Sequence, residues 1–103
     1  MLKEVNQVEF KQQYRDDLVL AEFYSKTCGP CKMLAFVLRE IDKQLGEKVK
    51  ILQVEFNENP ELASEFTVTG YPTLIVFMDG VEQSRISGLQ QKPQIIQMLE
   101  AHL

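Results

Sequence analysis

The sequence predicts an α/β fold, with a central mixed sheet of about five strands and helices on both faces of the sheet. Strand and helix patterns alternate through the first two thirds of the chain, and the last third contains two strand patterns joined by Asp79-Gly80 and then a helix. Helical crossovers connect parallel strands and a tight turn connects antiparallel ones, so one sheet must contain both pairings. At 103 residues, 45% of them hydrophobic, residues 1–103 are expected to form one domain.

The predicted order of elements is β-α-β-α-β-α-β-β-α. After a short first strand, Phe10 and Tyr14 lie four residues apart, as on one face of a short helix. The near-continuous apolar run Leu18–Tyr24 is typical of a central strand that is covered on both faces. From Pro30 to a C-cap at Gly46, apolar residues recur every three or four positions, which predicts a long helix. Its apolar stripe contains Cys31, Leu34, Val37, Leu38, Ile41 and Leu45.

The second half begins with a predicted strand over Val49–Phe56. Asn59 is the expected N-cap of a helix that begins at Pro60, because asparagine side chains accept hydrogen bonds from free helix amides and proline suits the first helical turn. The apolar residues that this helix should bury are Leu62, Ala63 and Phe66.

A hairpin and a helix complete the prediction. The strands Leu74–Met78 and Val81–Ser87 flank Asp79-Gly80, a pair that readily adopts the positive φ angles of a tight turn. Pro93 opens the last helix, whose expected inward residues are Ile95, Ile96, Leu99 and Leu103.

The charge balance bears on possible partners. The net charge is −4, with 15 acidic against 11 basic side chains. Such a balance keeps a small protein soluble but provides no basic surface for phosphate backbones. No nucleic-acid partner is therefore expected.

The amino terminus and the cysteine count indicate the compartment. The first seven residues carry charges and amides where a signal peptide needs an uninterrupted apolar segment. No apolar run approaches the roughly twenty residues that cross a bilayer as a helix. We therefore expect a cytoplasmic protein without a membrane partner. Because the cytosol keeps ordinary thiols reduced, two cysteines there indicate redox or metal chemistry rather than a structural crosslink.

The two cysteines form the motif Cys28-Gly29-Pro30-Cys31 at the predicted start of the long helix. Two intervening residues allow the thiols to reach disulfide distance without rearranging the backbone. The free amides and positive dipole end of a helix favour an anion, which lowers the pKa of the first thiol. Helical phase puts Cys31 on the apolar stripe and Cys28 at the exposed tip, so Cys28 should attack and Cys31 should resolve.

Other interpretations of the pair are two ordinary buried thiols or half of a zinc site. Structural zinc usually takes four ligands, and the sole histidine, His102, is at the carboxyl terminus, so a zinc site needs a second chain. No metal ligands are therefore assigned. Lys26 and Lys32 flank the motif and are candidates for electrostatic support of a thiolate, although surface lysines are more often solvated and inert.

Further segments accompany the motif in a characteristic order and spacing. They are Ala21-Glu22-Phe23-Tyr24, Cys28-Gly29-Pro30-Cys31-Lys32-Met33, Asn59-Pro60-Glu61-Leu62-Ala63, Gly70-Tyr71-Pro72-Thr73-Leu74, Asp79-Gly80 and Gly88. Together they resemble the thioredoxin family over essentially the whole chain. The resemblance implies the thioredoxin fold, with a cis peptide bond between Tyr71 and Pro72 that faces the active-site loop. A simple proline at a strand start is the alternative for Pro72.

The resemblance also implies the activity of a protein-disulfide reductase that carries electrons and maintains cell redox homeostasis. Its substrates are proteins with disulfides, and a thioredoxin reductase supplies electrons from NADPH, so no bound cofactor is expected. The main chain beside the proline pairs with an extended substrate segment, which favours broad substrate tolerance. The implied substrate-binding residues are Thr27, Gly29, Pro30, Tyr71, Pro72 and Gly88.

Glu22 is the most informative residue outside the motif, because it lies in a strand that should be buried on both faces. Burial favours the neutral form of a carboxyl and raises its pKa, which suits proton exchange with the resolving thiol near neutral pH. We therefore predict a catalytic role for Glu22 beside the two cysteines. The alternative is a strand-end glutamate that faces solvent.

Several positions depart from the family pattern. The chain has no tryptophan, and Thr27 and Tyr24 stand where thioredoxins commonly carry one. Glu22 replaces an aspartate, Phe36 a helix-kinking proline, and Gln53 a buried lysine near the acidic residue. Without that lysine, Glu22 should be neutral more readily.

The predicted function is reduction of protein disulfides by dithiol–disulfide exchange through the Cys-Gly-Pro-Cys site. The competing hypothesis is a binding or adaptor module that uses the same fold, with redox-inactive or regulatory cysteines. An oxidase or isomerase fits less well, because such enzymes usually work outside the cytosol and this sequence shows no export signal.

Overall fold

The computed structural model describes residues 1–103 and has the predicted order of elements. The strands are β1 (Leu2–Glu4), β2 (Leu18–Tyr24), β3 (Lys50–Glu55), β4 (Thr73–Met78) and β5 (Val81–Ser87). The helices are α1 (Gln7–Gln13), α2 (Gly29–Leu45), α3 (Pro60–Glu65) and α4 (Lys92–Glu100), with a short 3-10 turn at Gly46–Lys48. The spatial order of the sheet is β1-β3-β2-β4-β5. Parallel pairing joins β1, β3 and β2, while β2, β4 and β5 pair antiparallel. The predicted mixed five-stranded sheet is therefore confirmed.

The alternation of side chains along β2 builds the core on both faces of the sheet. Val19, Ala21 and Phe23 pack with α1 and α3, whereas Leu18 and Leu20 pack with α2 and α4. Successive residues of a strand point to opposite faces, so a continuous apolar run covers both layers. The central strand is thereby held on both sides, and the loop at its carboxyl end starts from a rigid position.

The hairpin and the loop before β4 match the predictions in detail. Asp79 and Gly80 have φ angles of 52° and 82° between β4 and β5, as a tight two-residue turn requires. The Tyr71-Pro72 peptide bond is cis, and Pro72 is buried directly before β4.

Three local predictions were wrong or incomplete. Asn59 precedes α3, but its side chain does not cap the helix; its Oδ1 accepts from the Gln7 amide at 3.0 Å and its Nδ2 donates to the Glu55 carbonyl at 2.9 Å. Leu103 is 53% exposed because α4 ends before it. Phe66 is only partly buried, at the edge of the core.

Candidate active site

The cysteine motif lies at the start of α2, in the turn that follows β2. Cys28 is the N-cap of the helix, and its Sγ accepts a hydrogen bond from the Cys31 amide at 3.1 Å. The two cysteines are joined in a disulfide, with their Cα atoms 5.2 Å apart. Cys28 is partly exposed and Cys31 is only 4% exposed. Helical phase predicted this difference, and it makes Cys28 the sulfur that another protein can reach.

The amino-terminal end of α2 is electrostatically suited to a negative sulfur. The helix has 17 residues and no acidic side chain in its first turn. No carboxylate there neutralises the positive end of the helix dipole. The Cys31 amide already points at the Cys28 sulfur. When the disulfide is reduced, the same amide can donate a hydrogen bond to a Cys28 thiolate.

Glu22 lies in the middle of the sheet and is completely buried. Burial raises the pKa of its carboxyl to about 7, although the hydrogen bond from Gln53 opposes the shift. Gln53 Nε2 donates to Oε1 at 3.0 Å, while Oε2 is buried without a hydrogen-bond partner. The alternative of a solvent-facing glutamate is therefore wrong.

One cavity connects this carboxyl with the buried cysteine. It has a volume of about 240 Å³, and both Glu22 and Cys31 line it. The exposed side chains of Lys32 and Arg39 also contribute to its wall, so the cavity opens to solvent. A cavity of this size that is lined in part by charged and polar side chains can hold water.

The two lysines beside the motif differ in their surroundings. Lys26 Nζ forms an ion pair with Glu58 at 2.6 Å, and both side chains are about 60% exposed. The hydrogen bond to this carboxylate raises the pKa of Lys26. Both lysines line the cavity, but the charge of Lys26 is engaged by Glu58.

The residues that the family resemblance implies for substrate contact differ in their exposure. Thr27, Gly29 and Pro30 are exposed in the motif loop. Tyr71 is 43% exposed, Pro72 is buried, and the Gly88 amide donates to the Pro72 carbonyl at 2.8 Å. The main-chain N–H and C=O of Tyr71 make no hydrogen bond within the chain. They are consequently free to pair with an added strand.

The structure also adds residues that sequence reasoning missed. The ring of Phe56 packs edge-on against Tyr71, with ring centroids 5.3 Å apart. Glu55 ends β3 and is buried, and its carboxylate accepts hydrogen bonds from the loop that carries the cysteines. The available signal for Glu55 was an acidic residue within a predicted strand, as for Glu22, although Glu55 lies at the end of its strand and Glu22 lies inside one.

No group of three or more His, Cys, Asp or Glu side chains is arranged to hold a metal ion. No helix combines the length and apolar character needed to cross a membrane.

Comparisons with known proteins agree on one family. The family model described as Thioredoxin matches residues 1–101. A thioredoxin of Listeria monocytogenes is 36% identical over 103 residues, which cover 100% of both chains. A thioredoxin of Bacillus subtilis is 37% identical over 94 residues, 91% of this chain and 90% of that one. Among solved structures, a mutant thioredoxin from Halobacterium salinarum NRC-1 is similar with a TM-score of 0.90 and 33% identity, over 98% of this chain and 89% of that chain.

Proposed function

Because this chain belongs to the thioredoxin family and is a protein-disulfide reductase that works by dithiol–disulfide exchange, we propose that Cys28, Cys31 and Glu22 divide the reaction among them. One observation carries the proposal: a partly exposed sulfur at a helix N-cap is paired with a buried sulfur, and that buried sulfur shares a cavity with a buried carboxyl. Nucleophile, resolving thiol and proton acceptor are thus within one site.

The exchange has two steps. In the first, the Cys28 thiolate attacks one sulfur of the target disulfide, and the other target sulfur leaves as a thiolate. In the second, Glu22 accepts the proton of the Cys31 thiol, and the Cys31 thiolate attacks Cys28 and displaces the second target thiolate. The target gains two electrons, and the Cys28–Cys31 disulfide forms. The proton on Glu22 leaves through the cavity to solvent.

The proposed substrate surface consists of main chain and small side chains around Cys28. The free N–H and C=O of Tyr71 support strand pairing with an extended substrate segment. The half-exposed ring of Tyr71 supplies apolar contact in a chain that has no tryptophan. The residues proposed to contact substrate are Thr27, Gly29, Pro30, Tyr71, Pro72 and Gly88.

The proposed electron source is a thioredoxin reductase that uses NADPH, acting in the cytoplasm as part of an electron-transport chain. The protein itself then needs no bound cofactor, because its cysteine pair carries the two electrons. The support comes from the family.

An insulin-reduction assay with dithiothreitol tests the division of roles. The wild-type chain should accelerate insulin precipitation, and Cys28→Ser should abolish the acceleration because the attacking sulfur is gone. With insulin and no dithiothreitol, reduced Cys31→Ser should instead trap a mixed disulfide on Cys28, detectable by mass spectrometry. A Cys28→Ser variant that still accelerates precipitation contradicts the proposal.

A measured reduction potential tests the direction of the reaction. Disulfide isomerases and oxidases have reduction potentials of about −180 mV and above, so a measured value in that range contradicts the reducing direction.

A further inference from the structure

Glu55 connects two loops at the edge of the sheet where the cysteine motif lies. It ends β3 opposite Tyr24, the last residue of the parallel neighbour β2. Both strands end at this point. The segment after β2 leads to Cys28, and the segment after β3 leads to α3. The side chain of Glu55 is 5% exposed, so its carboxylate is placed between these two departing segments.

The carboxylate of Glu55 accepts hydrogen bonds in two directions. Oε2 accepts from the Lys26 amide at 2.9 Å. Oε1 accepts from the amides of Asn57 and Glu58, the latter at 3.0 Å. Burial by itself raises the pKa of Glu55, but the three amides and the charge of Lys26 lower it overall. The group therefore remains an ionised acceptor, and hydrogen bonds to charged acceptors are among the stronger ones in proteins.

The turn held by Glu55 leads directly to Cys28. Lys26 is two residues before Cys28, and the Cys28 amide donates to the Ser25 carbonyl at 3.2 Å. Asn57 Nδ2 reinforces the link by donating to Ser25 Oγ at 3.3 Å. The turn from Ser25 to Cys28 is thus attached to the β3–α3 loop at both its first and its second residue.

We propose that Glu55 is a positioning residue for the nucleophile: by holding the Lys26 amide, it keeps the Cys28 sulfur at the N-cap of α2. The inference rests on the proposed role of Cys28 as the attacking thiol. In that N-cap position the Cys28 sulfur accepts a hydrogen bond from the Cys31 amide at 3.1 Å. If the turn shifts, the thiolate loses its hydrogen bond and its place at the positive end of the helix.

A carboxylate is required at Glu55 because both of its oxygens must accept hydrogen bonds from backbone amides. In Glu55→Gln, the amide nitrogen must face either Lys26 or the Asn57 and Glu58 amides, which places donor against donor. In Glu55→Asp, the charge remains, but the side chain is one methylene shorter and no longer spans both loops. Glu58→Gln is the matched control, since it removes the same charge from the adjacent loop and breaks only the exposed pair with Lys26.

The test is the pH dependence of iodoacetamide alkylation of the reduced protein, with the modified cysteine identified by mass spectrometry. Removing a nearby negative charge by itself lowers a thiol pKa, whereas losing the N-cap position raises it, so the sign separates the two effects. We expect Glu55→Gln and Glu55→Asp to raise the Cys28 pKa by about one unit, which slows alkylation about tenfold at pH values below both the wild-type and the variant pKa. Glu58→Gln should alkylate within about twofold of wild type, as surface ion pairs contribute little.

Two outcomes overturn the proposal. One is a Cys28 pKa that is unchanged or lowered in either folded Glu55 variant, even if that variant has lost thermal stability. Glu55 then contributes only to stability or acts only through its charge. The other is an equal slowing in Glu58→Gln, which assigns the effect to charge. Failure of the proposed function gives a different result: the wild-type protein itself is then modified at Cys31 first, or at both cysteines equally.

Discussion

The buried carboxyl of Glu22 should make the stability of the oxidised protein depend on pH. Its pKa is about 7 in the folded chain, raised by burial from an ordinary value of 4.5. Below the unfolded pKa, both states are protonated and the group makes no difference. As pH rises from 4.5 to 7, the unfolded chain releases the proton while the folded chain retains it, so the free energy of unfolding falls. Above pH 7, the buried group is charged and the full loss is present.

The size of this loss follows from the two pKa values of Glu22. Each pKa unit corresponds to about 1.4 kcal/mol, so a shift from 4.5 to about 7 destabilises the folded state by about 3 kcal/mol at about pH 8. Glu22→Gln removes the ionisation while its side-chain oxygen still accepts from Gln53. The variant should therefore resemble wild type at about pH 4 and exceed its stability by about 3 kcal/mol at about pH 8.

Urea unfolding followed by circular dichroism at about pH 4, 6 and 8 measures the difference directly. Other titrating groups are common to both proteins, so they cancel in the comparison. The exposed Glu58→Gln variant serves as the control, and its difference from wild type should be nearly independent of pH. If the stability of Glu22→Gln minus that of wild type is the same at the lowest and highest pH, the argument about burial is refuted.

Two further predictions concern catalysis and the hairpin. In rapid-mixing experiments on a preformed mixed disulfide, the rate at which Cys31 releases the target should rise with pH around a pKa near 7, as Glu22 loses its proton. In Glu22→Gln this rate should be at least about tenfold lower and should show no such inflection. Identical pH–rate profiles for the two proteins exclude Glu22 from the step. Gly80→Ala should lower the free energy of unfolding by about 1–2 kcal/mol, because φ is +82° and the new Cβ lies 2.6 Å from Arg15 Cγ; an unchanged urea midpoint contradicts this reading.

Much of the fold was predictable because the spacing of apolar residues and the positions of turn-forming glycine, proline and aspartate carry local information. The apolar run that became β2 has the predicted bounds, Leu18–Tyr24, and Asp79-Gly80 forms the predicted turn. The different exposure of Cys28 and Cys31 was also predictable, since it depends only on the phase of one helix. Each of these features is set by residues within a few positions of one another.

Predictions that depended on distant partners were less successful. The side chain of Asn59 was expected to cap α3, but it binds Gln7 and the Glu55 carbonyl instead. Leu103 continued the apolar pattern, but α4 ends before that pattern does. Helical period indicates which residues share a face, whereas the competing partners of a polar side chain become available only when remote segments meet.

The sequence by itself determined the order of elements, the mixed sheet and the cysteine pair at a helix start, because these depend on short-range pattern and backbone chemistry. Only the tertiary structure decided that Glu22 and Cys31 share one cavity and that Glu55 bonds to the turn before Cys28. Both arrangements join residues from separate strands and loops. The physical reason is that burial and hydrogen-bond partners, which set the pKa of a carboxyl and the position of a thiol, arise from the packing of the whole chain.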